Sequence, residues 1–146
     1  MKVAVGCDPN ATEFKDKLIP YIESLGHICV DYGSDDPIYA NTAVRVATDV
    51  VAEKCDRGIL ICGTGIGVSI AANKVKGAYA ALVTDIYQAQ RAQLSNNARI
   101  IALGSQVTGI ELAKCLVKEF LNLSFDPNSR SKVKVDRIAF YEKGEI

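Results

Sequence analysis

Gly58-Ile59-Leu60-Ile61-Cys62-Gly63-Thr64-Gly65-Ile66-Gly67-Val68 decides the fold. The apolar run Ile59 to Cys62 reads as a buried strand. A glycine-rich turn follows it, and then a helical stretch from Ser69 to Lys74. Strand, turn and helix in that order aim backbone N–H groups and a helix N-terminus at one point, where an anion is welcome. Cys62 puts a thiol beside that point. A thiol facing an anion cradle can move a proton next to a carbonyl group and stabilise the resulting oxyanion.

On either side of this segment, strand and helix patterns alternate. Upstream, Lys2 to Gly6 reads as a strand, Thr12 to Ser24 as a helix stopped by Gly26, and Ile28 to Asp31 as a second strand. Pro37 suits the opening of a helix that runs to about Ala52. Downstream, Ala78 to Val83 and Arg99 to Leu103 read as strands, with a helix from Ile86 to Leu94 capped by Asp85 between them. Thr108 to Leu121 is an amphipathic helix, and a polar stretch from Ser124 to Ser131 leads into a short helical tail. Such alternation predicts an α/β fold with a parallel sheet and helices on both faces. Ligands of these folds bind beyond the carboxyl ends of the strands, and Cys7-Asp8, Tyr32-Gly33, Cys62-Gly63, Thr84-Asp85 and Gly104-Ser105 all fall there.

Composition narrows the function classes. The 146 residues, 49% hydrophobic and 23% charged, fit a single domain over residues 1–146 with one substantial core. The formal net charge is zero and no basic block occurs, so a nucleic-acid partner is not expected. No apolar run reaches the roughly 18 residues of a membrane helix, and no membrane partner is expected. Met1 to Val5 runs directly into a strand pattern without a signal-peptide layout, which makes the expected location cytoplasmic.

The five cysteines, Cys7, Cys29, Cys55, Cys62 and Cys115, show no CxxC or Cys/His ligand spacing, so neither a disulfide framework nor a metal site is expected. Cys29, Cys55 and Cys115 are expected as small buried hydrophobes, whereas Cys7 and Cys62 stand at strand ends. The only histidine, His27, lies in a turn and leaves a Ser-His-Asp triad without support. The G-x-G-x-G turn is not the dinucleotide fingerprint, because Val68 occupies the third glycine position and the turn follows the third strand. A tight turn that merely needs glycine fits the spacing as well; the thiol directly before it is what points to a site. Asp8 reads as a turn cap or as an acceptor for a ligand hydroxyl, and Asn96-Asn97 as loop residues or as amides for hydroxyl recognition. Arg130, Lys132, Lys134 and Arg137 form either a solvated face or a phosphate clamp.

Taken in order, Gly6-Cys7-Asp8, Ile61 to Gly67, Ser69 to Lys74, Asn96-Asn97 and Gly104-Ser105…Gly109-x-Glu111-Leu112-Ala113 resemble the ribose-5-phosphate isomerase B and galactose-6-phosphate isomerase family over nearly the whole chain. The resemblance implies a Rossmann-like three-layer sandwich with a five-stranded parallel sheet, assembled into homodimers or homotetramers with active sites between subunits. It implies interconversion of aldose and ketose phosphates through a cis-enediolate, without metal or cofactor. Cys62 matches the base, Gly63, Thr64, Gly65 and Gly67 match the oxyanion cradle, and Asp8 matches the aspartate that contacts sugar hydroxyls. Asn73 and Asn97 match positions near the substrate, Ser95 the position of a ring-opening histidine, and Arg130 and Lys134 the positions of two phosphate-gripping arginines.

The chain departs from the family pattern at Pro9 and Ser95, where histidines are usual, and at Gln106 and Lys134, where arginines are usual. Asp36 stands where a tyrosine often precedes proline. Ribose 5-phosphate is the default substrate on this resemblance. An open-chain four-carbon keto sugar phosphate would need no ring opener. A Cys-bearing subunit of a heteromeric galactose-6-phosphate isomerase is a further reading, and a non-catalytic sugar-phosphate binding module is the reading from another class.

Overall fold

Alternate burial along the strands fixes two helical layers in the computed structural model, which describes residues 1–144. In strand β1 (Lys2–Cys7), Val3, Val5 and Cys7 face one layer, and Ala4 faces the other. In β3 (Arg57–Cys62), Ile59 and Ile61 face the first layer, and Leu60 and Cys62 the second. Both strands are buried on both sides, as parallel strands between helices must be.

The five strands, with β2 (Ile28–Asp31), β4 (Ala80–Leu82) and β5 (Ile100–Gly104), form one parallel sheet in the order β2-β1-β3-β5-β4. Both edge strands are short, which limits unpaired backbone at the rims. Right-handed crossovers decide which face each helix covers. Chain paths from β1 to β2 and from β4 to β5 step one way along the sheet and put α1 (Thr12–Ser24) and α4 (Ile86–Leu94) on the first face. Steps from β2 to β3 and from β3 to β4 run the other way and put α2 (Tyr39–Val51) and α3 (Ile66–Ala72) on the second. Helix α5 (Ile110–Asn122) joins the first layer through Ala113, Leu116, Val117 and Phe120. Its far end is held by buried Arg57, which donates to the carbonyls of Phe120 (3.1 Å) and Leu123 (2.9 Å). The chain closes with α6 (Lys132–Glu142), whose Val133, Ile138 and Tyr141 are exposed.

The predicted α/β architecture and five-stranded parallel sheet are therefore observed, with differences at boundaries and in one burial. Helix α3 starts at Ile66 rather than Ser69, because Gly65, with φ of 79°, turns the chain straight into the helix. Helix α2 starts at Tyr39 rather than Pro37. The Asp36 carboxylate accepts from the Ile38 N–H (2.8 Å) and the Asn41 amide (3.0 Å), which holds Pro37 and Ile38 outside the helix. Cys115 is exposed, contrary to expectation, since the helical period that buries Ala113, Leu116 and Val117 turns position 115 outward. Cys29 is half-buried, with its thiol against the Ile19 carbonyl at 3.8 Å.

Candidate active site

The strand order reverses between β1 and β3, since β1 leads away to β2 on one side and β3 to β4 on the other. A crevice opens at the carboxyl ends of two strands that part in this way. Asp8 leaves β1 there and Cys62-Gly63 leaves β3, joined by the Asp8 N–H to the Ile61 carbonyl at 2.9 Å. A cavity of about 480 Å³ fills the crevice, lined by Asp8, Asn10, Tyr39, Cys62, Gly63, Thr64, Gly67 and Gln106.

Cys62 is buried to 6% exposure, yet its side chain is part of the cavity wall. The Gly65 N–H donates to its sulfur at 3.1 Å. The next donor, the Ile66 N–H, is taken by Thr64 Oγ1 at 3.2 Å, which ties that side chain into the turn. Gly63, Thr64 and Gly67 line the cavity, and their N–H groups donate to no acceptor among the described residues. The turn is clamped to β5 by the Ser105 N–H on the Cys62 carbonyl and the Gln106 N–H on the Gly63 carbonyl, both at 2.9 Å.

Two glycines here are held close to neighbouring backbone. A Cβ on Gly65 would lie 2.6 Å from Leu82 Cδ1 and 2.9 Å from the Leu103 carbonyl carbon, on a backbone already left-handed. A Cβ on Gly104 would lie 2.6 Å from the Thr64 carbonyl, so the end of β5 sits flush against the turn. Gly63 is not so constrained; a Cβ there would meet only Gln106 Cγ, at 3.8 Å.

Asp8 is both a turn cap and a wall residue. Its Oδ1 accepts from the Asn10 N–H at 2.8 Å, and the residue lines the cavity. Cys7, one residue earlier, points to the first helical layer. Burial pushes its thiol up to about 11, against a partial opposing pull from the Lys15 ammonium. Of the two strand-end thiols, only Cys62 meets the cavity.

The other sequence-predicted residues lie elsewhere in the chain. The Asn73 side chain is fully engaged, donating to the carbonyls of Ser69 and Ala80 and accepting from the Ala80 N–H, each at 2.9 Å; it stitches the end of α3 to β4. Ser95 closes α4, its hydroxyl accepting from Arg91 Nε at 2.6 Å. Asn97, left-handed with φ of 51°, stands just before β5, at the amino ends of the strands. There it lines a separate hollow of about 450 Å³ with Arg57, Gln93 and Arg99. Arg130 and Lys134 are exposed, before and on α6. Within one chain, Ser95 and Asn97 are thus a strand's length from Cys62, and neither basic residue lines its cavity.

Sequence reasoning missed Asn10 and Tyr39 as lining residues, and took Gln106 only as a departure from the family pattern. Asn10 was open to detection, because Asp8-Pro9-Asn10 is a turn signal at a strand end. Tyr39 gave no signal, since its place in the cavity depends on how α2 and α3 pack. Among the described residues there is no group of three or more His, Cys, Asp or Glu side chains placed to hold a metal ion, and no helix long and apolar enough to cross a membrane.

Fold and cavity together define a Rossmann-like α/β protein with a cavity at the switch point of its sheet, the place where ligands of such folds bind. Comparison with known proteins narrows the class. The ribose/galactose isomerase family matches residues 3–138, and the chain belongs to that family. It is 44% identical to D-erythrulose-4-phosphate isomerase 2 of Mycolicibacterium smegmatis, with 97% of each chain covered. It is 42% identical to ribose-5-P isomerase B of Listeria innocua, with 93% of each covered. Among solved structures, ribose-5-phosphate isomerase B of Clostridium thermocellum superposes with a TM-score of 0.93 at 36% identity, covering 100% of both chains.

Proposed function

We propose that this chain interconverts the aldose and ketose forms of a phosphorylated sugar, with Cys62 carrying the proton between neighbouring carbons. One observation carries the reading: Cys62 lines a cavity together with Asp8 and with Gly63, Thr64 and Gly67, whose N–H groups have no acceptor among the described residues. In the aldose-to-ketose direction the thiolate takes the hydrogen on C2 as a proton. The C–H electron pair forms the C1–C2 double bond, and the carbonyl oxygen takes up the negative charge. The N–H groups of Gly63, Thr64 and Gly67 face that developing oxyanion, and such donors contribute about 3–4 kcal/mol to a step of this kind. The thiol returns its proton to C1, and the hydroxyl proton passes from O2 to O1. Asp8, with one oxygen committed to Asn10, offers the other to a sugar hydroxyl.

A four-carbon keto sugar phosphate fits this chain best. It closes no stable phosphorylated ring, so Pro9 and Ser95 need not replace the ring-handling histidines that the family resemblance leads one to expect. The 44% identity to a D-erythrulose-4-phosphate isomerase supports the same choice. Ribose 5-phosphate is the second reading, favoured by the 42% identity to a ribose-5-P isomerase B. The proposal includes a homodimer or homotetramer. Ser95 and Asn97 stand at the far end of the sheet from Cys62, so they serve such a cavity only from a second chain, as Arg130 and Lys134 also would.

The test incubates the purified chain in deuterium oxide with D-erythrulose 4-phosphate and, separately, ribose 5-phosphate. NMR then reads product formation and solvent exchange at the carbon next to the carbonyl. Turnover with exchange, abolished by Cys62→Ala while substrate binding persists, is the expected result. Turnover by Cys62→Ala at the normal rate, or no exchange with either sugar by the unaltered chain, overturns the proposal.

A further inference from the structure

Behind the Cys62 cavity lies a second hollow, of about 310 Å³, between α2 and α3. It is lined mostly by apolar side chains, among them Val44 and Ile70, and has Lys74 at its rim. Only Tyr39 and Gly67 line both spaces. The Tyr39 ring lies directly on Gly67, so closely that a Cβ there would come within 2.5 Å of the ring's Cζ and hydroxyl oxygen and 2.7 Å of Cε2. Tyr39 is therefore the partition between the two spaces, and the missing side chain at Gly67 is what lets it stand there. The Asp36 cap fixes its place by setting Tyr39 as the first residue of α2. Its hydroxyl makes no hydrogen bond among the described residues, and the residue belongs to the wall that carries Cys62 and Thr64.

We infer that Tyr39 is a specificity-determining residue: its ring ends the sugar site and so limits the length of sugar phosphate that Cys62 can serve. Its hydroxyl donates to a sugar oxygen at that end. The inference rests on the isomerase reading of Cys62 and adds the element that measures chain length. Without the ring, the 480 Å³ and 310 Å³ spaces join into one cleft that leads toward the Lys74 ammonium. A sugar one or two carbons longer then fits with its phosphate beyond the present wall.

The experiment compares kcat and KM for D-erythrulose 4-phosphate and ribulose 5-phosphate in the unaltered chain, Tyr39→Phe and Tyr39→Ala. Both are ketoses that react without opening a phosphorylated ring, so length is the variable. Tyr39→Ala is expected to move the kcat/KM ratio toward the five-carbon sugar by about tenfold or more, the order one carbon's worth of space supplies in a shaped pocket. Tyr39→Phe keeps the ring and is expected to preserve the ratio, while raising KM for both sugars about two- to tenfold through the lost hydrogen bond. Circular dichroism and the alkylation rate of Cys62 report whether fold and base are intact. A Tyr39→Ala variant that is folded and active with an unchanged ratio overturns the inference alone. An unaltered chain inactive on both sugars overturns the isomerase reading, and this inference with it.

Discussion

Replacing Gly65 with alanine tests the cradle where a left-handed backbone meets a close backbone neighbour. The residue sits at φ of 79°, and holding alanine there costs about 1–2 kcal/mol. The new methyl also meets Leu82 Cδ1 at 2.6 Å and the Leu103 carbonyl carbon at 2.9 Å. The leucine tip can rotate away, but the β5 backbone cannot, and overpacking of this kind adds about 1–3 kcal/mol. The sum, about 3 kcal/mol, lowers the melting midpoint of a domain this size by roughly 6–12 °C. The alternative response is a shift of the turn, which carries the Gly65 N–H away from the Cys62 sulfur it now meets at 3.1 Å. A displacement near 1 Å lowers kcat/KM on the order of a hundredfold. Thermal melting followed by circular dichroism, with steady-state kinetics on the same preparation, separates the two responses. A variant with both an unchanged midpoint and full turnover refutes the argument that this turn is sterically fixed.

Three further expectations can be measured directly. Cys62→Ala should abolish proton exchange at the carbon next to the carbonyl while calorimetry still detects binding of a sugar phosphate; near-normal exchange contradicts its role as base. Arg130→Ala should raise KM for a phosphorylated substrate with kcat little changed, and an unchanged KM places the phosphate elsewhere. Burial holds the Cys7 and Cys29 thiols up at about 11, so the folded chain keeps these protons more tightly than the unfolded chain does. Stability is therefore undiminished below about pH 9 and falls as pH rises from 9 to 11. Cys7→Ala should flatten that fall in denaturant titrations, and an identical slope in the variant removes Cys7 as its source.

Much of this fold was legible because the chain states it locally. The β2 range, α1 with its Gly26 stop, and α4 with Asp85 accepting from the Gln88 N–H at 2.8 Å are where the residue pattern puts them. The start of α3 was hidden because a helix following a left-handed glycine needs no polar cap, and Ile66 to Val68 repeat the apolar character of the strand before them. That Asp8, Cys62, Gly63, Thr64 and Gly67 share one cavity wall was legible too, since they directly follow or end the strands that present them. Tyr39 was not, because its place depends on contact between α2 and α3. Asn73 looked available only because nothing in the sequence shows that Ala80 returns beside it to occupy its amide.

The turn after β3 is braced at both ends, by Gly104 against Thr64 on one side and by Asn73 against Ala80 on the other. Tyr39 lines the cavity from a separate segment, and Gln106 holds the turn only through its N–H on the Gly63 carbonyl, its side chain making no hydrogen bond among the described residues. The braces of the turn and part of the cavity rim thus come from different segments of the chain. On the isomerase reading, a change at Tyr39 or at the Gln106 side chain alters what fits the cavity and leaves the Gly65 N–H on the Cys62 sulfur.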